Sequence, residues 1–305
     1  MKTSKARHPK RANGTKTDIY EEVTSRILAQ LEQDIVPWRT PHFAKVGFPR
    51  NFQNTKDYQG INILLLGMTG YLSPWFMTFL QAKEKGGTVR KGEKGSLVVK
   101  YGEYQRKDSK SGKEEEEVRR YLKGYHVFNA SQIDGIDFPT IVQPQFTPSE
   151  RVAKAEAIVA AIPNPPQIKE GEFARTFYDV TNDLVCIPHR SFFENEERFY
   201  QSLFHELVHA TGAAKRLARK SLLKDKGGPL AKDKLYAKEE LVAEMGASFL
   251  TAHAGITLEN HEQNAAYIAS WLKALKSSQN KRLVVEAASE AQKATSWLLG
   301  KTPQS

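Results

Sequence analysis

The chain has 305 residues, 40% of them hydrophobic, and a formal net charge of +10 at pH 7. This length allows two domains, and the hydrophobic fraction can give each of them a buried core. Cys186 is the only cysteine, which excludes an intramolecular disulfide and a zinc site made of several thiolates. No apolar stretch reaches the roughly 20 residues of a membrane-spanning helix, and the basic N-terminus is not followed by the apolar run of a signal peptide. We therefore expect a cytoplasmic protein without membrane contact, whose positive charge favours a polyanionic partner such as nucleic acid.

The first part of the chain predicts a basic tail followed by a mixed α+β domain. Residues 1–17 contain no acidic residue and are expected to be disordered. The prolines in residues 139–149 interrupt any regular pattern and predict a linker, so that the first domain spans residues 18–138. The expected elements of this domain are helices at 19–35, 61–68 and 74–85, strands at 96–104 and 119–129, and a charged hairpin excursion over 105–117.

Several side chains of this first domain combine positive charge with flat rings. Proteins hold single strands in this way, because aromatic rings stack on bases while lysine and arginine follow the phosphates. The turn with the sequence VRKGEKG also contains two glycines that could bring backbone amides close to phosphate. The predicted DNA contacts are Arg39, Tyr58, Arg90, Lys91 and Lys94.

The rest of the chain predicts a second domain over residues 150–300 that is mainly helical. Short strands are expected within residues 164–190, where an edge strand before the next helix could pair with an extended peptide. Residues 213–234 are basic and contain glycines, which leaves two interpretations open, a mobile lid or a second nucleic-acid patch. The expected helices are at 149–161, 196–211, 235–254, 262–276 and 281–299.

The most specific motif of the chain is His205-Glu206-Leu207-Val208-His209. On a helix, residues four apart lie on one face, so both imidazoles can reach one metal ion. This ion is expected to be zinc, and Glu206 would take a proton from a bound water and deliver it to a leaving amine. The preceding residues support a helix, since Asn195 can act as its N-cap. The motif therefore predicts a metallopeptidase site.

A catalytic zinc site needs a third protein ligand. In metzincins it is a histidine six residues after the second one, but Lys215 occupies that position here. The expected helix at 235–254 instead carries Glu240 and Glu244 one turn apart on the same face. This arrangement resembles gluzincins, in which the first such acid binds the metal and the second orients a ligand histidine. We assign Glu240 to the metal and Glu244 to the orienting role, and the reverse assignment stays open.

The motifs together resemble a known family. The runs YQSLFHELVHATG, YAKEELVAEMGASFL and AAYIASWLKAL are similar to plasmid-borne antirestriction proteins of the ArdC type. In the first half, QDIVPWRTP, DYQGINILLL, GGTVRKGEKG and YHVFNASQIDG are similar to the single-stranded-DNA-binding domain that those proteins share with TraC-type primases. The resemblance covers almost the whole chain. It implies an α+β single-stranded-DNA-binding domain followed by a mainly helical, zincin-like domain of gluzincin type.

This resemblance implies a plasmid-encoded protein that shields incoming conjugative DNA from host restriction by binding single strands. If the metal site is a peptidase, we expect its substrate to be a host restriction protein or another protein. Zn²⁺ is the expected cofactor, although histidine and carboxylate ligands also accept Mn²⁺ or another divalent metal. Two alternatives stay open. One is a non-catalytic protein that covers single-stranded DNA and has a structural metal site, and the other is a regulator that binds duplex DNA.

Overall fold

The computed structural model describes residues 18–40, 43–107, 116–140, 146–222, 229–257, 265–276 and 281–301. The predicted disordered tail at 1–17, the tip of the predicted hairpin excursion and the centre of the predicted linker lie outside these residues.

The first half combines short helices with one mixed sheet and one antiparallel sheet. Its four-stranded sheet has the order β1-β2-β5-β4, and β3 pairs with β6 in a separate two-stranded sheet. The helices are α1 (Ile19–Leu31), α2 (Phe43–Val46), α3 (Ile61–Gly67) and α4 (Phe79–Glu84). The strands are β1 (Arg50–Asn51), β2 (Trp75–Met77), β3 (Thr88–Val89), β4 (Ser96–Lys107), β5 (Glu116–Asn129) and β6 (Ile133–Asp134).

The helix predicted over residues 74–85 is wrong in its first part. Trp75–Met77 form β2, because Phe76 pairs with Asn51 on one side and with Asn129 on the other. The helix α4 begins only after Thr78, whose hydroxyl accepts a hydrogen bond from the Gln81 amide in a capping box. Strand pairing thus determines the structure of an apolar segment whose composition also suits a helix.

The second half is mainly helical around one small sheet. The helices are α5 (Pro148–Ala160), α6 (Glu196–Thr211), α7 (Pro229–Ala254), α8 (Ala265–Lys276) and α9 (Leu283–Leu298). The strands β7 (Gln167–Gly171), β8 (Phe177–Asp179) and β9 (Leu184–Pro188) form a sheet of order β7-β9-β8, so β8 is an edge strand. The α+β class with a sheet-containing first half and a helical second half is confirmed.

The largest hydrophobic core contains residues from both halves. Trp38 meets Trp271 edge to face with ring centroids 5.9 Å apart, and Phe48 meets Phe249 in the same way at 6.0 Å. Aromatic pairs of this geometry stabilise beyond the area that they bury. The halves are therefore joined by apolar packing as well as by the chain, while the exact domain boundaries stay a prediction.

A partly buried ion pair connects the small sheet to the segment that follows α6. Both terminal nitrogens of Arg216 donate to Asp183, at 2.6 and 2.8 Å, and the Tyr178 hydroxyl donates at 2.7 Å. Burial alone would raise the pKa of Asp183, but the hydrogen bonds from Arg216, Lys215 and Tyr178 outweigh it and lower that pKa well below 3.8. The charged carboxylate is thus stabilised in the folded state.

We expect Asp183→Asn to lower the free energy of unfolding at pH 7 by about 1.5–3 kcal/mol, the range for hydrogen bonds to a charged group. Asn tolerates the left-handed backbone of this position, where φ is +51°. A carboxyl group whose pKa is lower in the folded than in the unfolded protein stabilises the folded state at any pH above its unfolded pKa. This contribution is lost as the pH falls towards the folded pKa. Urea unfolding should therefore show the difference from wild type narrowing below pH 3.8. A difference that does not change with pH would contradict this explanation.

Candidate metal centre

Helix α6 presents His205, Glu206 and His209 beside its buried apolar face, with His205 and Glu206 partly exposed and His209 buried. The Asn195 side chain accepts a hydrogen bond from the Arg198 amide, and Glu196 and Glu197 lie at the positive end of the helix dipole. The apolar face of the helix is buried in the core; its members are Leu203, Phe204, Leu207 and Val208. Packing of that face therefore fixes the direction in which His205, Glu206 and His209 project.

His205, His209 and Glu240 come together between α6 and α7, with one ligand atom of each within 4.8 Å of the others. The two histidine Nε2 atoms are 3.2 Å apart. The Glu240 carboxylate lies 3.5 Å from the His205 Nε2 and 3.6 Å from the His209 Nε2. A tetrahedral ion with ligand bonds of about 2.0–2.1 Å requires ligand separations of about 3.3 Å. The three residues therefore fit a divalent metal, and they leave a further position for another ligand.

The carboxylates around His205 favour a positive charge at this point. Burial alone would lower the pKa of His205, but the hydrogen bond to Glu240 and the charges of Glu244 and Glu206 raise it. Burial would likewise raise the pKa of Glu240, which His205 and His209 instead lower. The site thus attracts cations, as a metal centre requires.

Glu239 and Arg219, which the sequence analysis did not single out, support His209. The Nδ1 of His209 is 3.2 Å from a Glu239 oxygen, so an Nδ1–H donor leaves Nε2 as the metal-facing lone pair. Arg219 donates to both oxygens of Glu239, at 2.6 and 3.1 Å, and Ser221 donates at 2.5 Å. Burial would raise the pKa of Glu239, but the hydrogen bonds from His209 and Arg219 hold it at about 2.

Arg219 also satisfies the C-terminal end of α6. It donates to the Val208 carbonyl oxygen at 2.7 Å and to the Thr211 hydroxyl. Its side chain is only 2% exposed. Arg219 belongs to the basic segment whose composition allows either a lid or a nucleic-acid patch. This residue of the segment is part of the core instead, while residues 223–228 lie outside the described residues.

Glu244 lies beside His205, and Arg39 lies beside Glu244. A Glu244 oxygen is 3.8 Å from the His205 Nδ1, so Glu244 faces the ring nitrogen that points away from Glu240. An Arg39 terminal nitrogen approaches Glu244 at 3.4 Å, with 12% of the Arg39 side chain exposed. Arg39 of the first half thus contacts Glu244, which lies next to a predicted metal ligand. Its DNA contact stays a prediction, and its position beside Glu244 does not favour it.

Two clefts of about 400 and 710 Å³ meet at Glu206 and His205. Thr176, just before the edge strand β8, lines both of them. The larger cleft is also bordered by Phe177 and Tyr178 of β8. Because an edge strand has backbone groups without a sheet neighbour on one side, this groove can accommodate an extended chain that passes Glu206.

The remaining predicted DNA contacts do not line the two clefts at the metal centre. Tyr58 is half-buried and packs on Phe76. Arg90 is held by Glu93 at 2.9 Å, by Asp134 at 3.2 Å and by the Ser131 carbonyl oxygen, so nearby acids compensate its charge. Lys91 and Lys94 are exposed in the same turn. Their DNA contacts stay predictions, with the two lysines better placed than Arg90.

Comparisons with known proteins agree with both halves. Residues 17–128 match the family model of the N-terminal domain of anti-restriction factor ArdC, and residues 153–290 match that of a zincin-like metallopeptidase. An uncharacterized protein of Sinorhizobium fredii, y4eC, is 35% identical across 93% of this chain and 92% of its own length. A DNA primase TraC of Escherichia coli is 34% identical, but the match spans only 27% of that longer protein.

Two solved structures of the antirestriction protein ArdC from plasmid R388 have the same fold. The metal-free form is 39% identical with a TM-score of 0.71, over 92% of this chain and 96% of that one. The Mn(II)-bound form is 38% identical with a TM-score of 0.71, over 93% and 97%. Among the described residues, none of the helices is long and apolar enough to cross a membrane. The chain therefore belongs to the ArdC family of antirestriction proteins and contains a zincin-like domain.

Proposed function

We propose that this protein binds single-stranded plasmid DNA during conjugation and protects it from host restriction, and that a divalent metal centre hydrolyses a peptide bond of a host protein as part of this protection. The observation that carries the hydrolytic part is the position of Glu206, which lines both clefts directly beside His205. A metal site that serves only for stability has no need of a carboxylate at its open side. The DNA-binding part is supported by the net charge of +10 and by the similarity to ArdC and TraC.

His205, His209 and Glu240 would hold the ion, which supplies polarisation of a carbonyl group and a lowered pKa for its water. Glu206 would act as the general base and then the general acid, taking a proton from the attacking water and delivering it to the leaving amine. The backbone of β8 hydrogen-bonds an extended substrate in the cleft. Two imidazoles and one carboxylate suit zinc, and the Mn(II)-bound relative indicates that manganese is an alternative occupant.

A second candidate function is protection by DNA occlusion alone, with the metal centre stabilising the second half without turnover. The specific observation in its favour is the buried network of Glu239 and Arg219, which joins the metal-binding residue His209 to the end of α6. Such a connection makes bound metal a source of folding stability.

Plasmid transfer into restricting and non-restricting hosts distinguishes the two functions. We expect Glu206→Gln to lose protection in the restricting host only, while metal occupancy at saturating metal, thermal stability and single-strand affinity stay at wild-type values. Glu196→Gln is the matched control, because Glu196 lies on the same helix but is 55% exposed and pairs with Arg190. If Glu206→Gln protects as well as wild type, the hydrolytic proposal fails and DNA occlusion is the better account.

A further inference from the structure

The long hairpin of β4 and β5 has two chemically different faces. In its register Lys100 lies opposite Lys123, and Gly102 lies opposite Tyr121. Residues that are directly opposite in an antiparallel pair share a face, and so do alternate residues along a strand. Lys100, Tyr121, Lys123 and Tyr125 therefore project from the same side, which we name the hairpin face.

The other side of the hairpin packs into the main core. Leu97, Val99 and Leu122 belong to that core or pack against it. At Gly124 an added Cβ would lie 2.9 Å from the side chain of Ile19, so helix α1 closely approaches this side. On the side of the hairpin face, Val98 and Val127 at its base are buried in a smaller core. The tyrosines nearer the tip are exposed, with 45% of Tyr121 and 39% of Tyr125 accessible to solvent. Exposed aromatic side chains that are bordered by polar residues mark candidate binding surfaces.

The hairpin face alternates flat rings with cations. A Cβ added at Gly102 would collide with the ring of Tyr121, which means that this ring lies across the glycine. The Lys123 Nζ atom is 5.2 Å from the centroid of the Tyr125 ring. Tyr121 and Tyr125 are four residues apart, about 13 Å along a strand. Lys100 and Lys123 are both exposed between them.

We infer that the hairpin face binds single-stranded DNA, with Tyr121 and Tyr125 stacking on bases and Lys100 and Lys123 contacting phosphates. Stacking on rings suits unpaired bases, because a duplex hides their flat surfaces, and lysines beside the rings suit the backbone charge. The inference rests on the proposed function, for which it names the DNA-binding surface. The hairpin face is a second DNA site beside the one predicted in the VRKGEKG turn, where Arg90 is already held by Glu93 and Asp134.

Fluorescence anisotropy with a labelled 20-nucleotide oligo(dT), and with a duplex of equal length, tests this site on the full chain. Each of Tyr121→Leu and Tyr125→Leu should weaken single-strand binding about 5- to 150-fold, the effect of losing one stacked base. The variant Lys100→Gln with Lys123→Gln should lower the slope of log affinity against log salt by about 1.4, since each single-strand phosphate contact contributes about 0.7.

Tyr101→Leu is the matched control, because Tyr101 is 46% exposed on β4 but projects from the opposite side of the hairpin. It should bind oligo(dT) as wild type does. Equal losses for Tyr101→Leu and Tyr121→Leu, or no loss for the double variant of Tyr121 and Tyr125, would overturn the site. Failure of the wild type to bind oligo(dT), or a preference for the duplex, would instead overturn the DNA-binding part of the proposed function. Circular dichroism and thermal unfolding of each variant confirm that its fold is retained.

Discussion

Replacing Arg219 by methionine should lower the free energy of unfolding by about 3–5 kcal/mol, the usual effect of removing one partner of a buried ion pair. The change leaves the charge of Glu239 in the protein interior, where that carboxyl group is only 5% exposed. It also removes donors to the Val208 carbonyl oxygen and the Thr211 hydroxyl at the end of α6. Urea unfolding of the metal-free protein measures this loss without any contribution from the ion.

The same substitution should weaken zinc binding about 10- to 100-fold, because Glu239 is then no longer held against His209 and partners of this kind orient metal ligands. Zinc competition with a chromophoric chelator measures the affinity. Lys220→Met is the matched control, since Lys220 is the exposed neighbour of Arg219 and the same side chain is introduced. A loss of stability without a change in zinc affinity would show that the Glu239 contact does not orient His209.

Local sequence predicted the metal helix well because all of its signals lie within a short stretch. Asn195 as N-cap and the apolar positions of α6 determine the helix, and helical geometry then brings His205 and His209 together. The resemblance to gluzincins predicts the third ligand on the helix that contains Glu240. For these reasons the three residues that surround the candidate metal position were all named from the sequence.

The supporting contacts depended on tertiary structure and could not be predicted in this way. In the sequence, Arg219 is one of several cations in a basic segment. Only the fold shows that its side chain is buried beside Glu239. Arg39 lies 205 positions before Glu244, and no local pattern relates the two. Similarly, the segment 75–77 has an apolar composition that fits a helix, and its strand pairing involves residues distant in the chain.

Three neighbouring glutamates of α7 are expected to differ in their effects when each is changed to glutamine. Glu240→Gln should lower zinc affinity more than about 100-fold, beyond the 10- to 100-fold effect of an orienting partner. Its effect on the stability of the metal-free protein should be small, because Glu240 borders the open cleft. Zinc competition and urea unfolding, both applied to each variant, provide the comparison.

Glu239→Gln should weaken zinc binding and also destabilise the metal-free protein, because the buried Arg219 guanidinium loses its charged partner. Glu244→Gln should weaken zinc binding about 10-fold, since Glu244 faces the His205 Nδ1 at 3.8 Å and not the position between the Nε2 atoms. If Glu244→Gln abolishes binding while Glu240→Gln spares it, the two acids have the reverse roles. Because Gln matches Glu in size, a difference among the three variants reports the loss of charge at each position and not a change in packing.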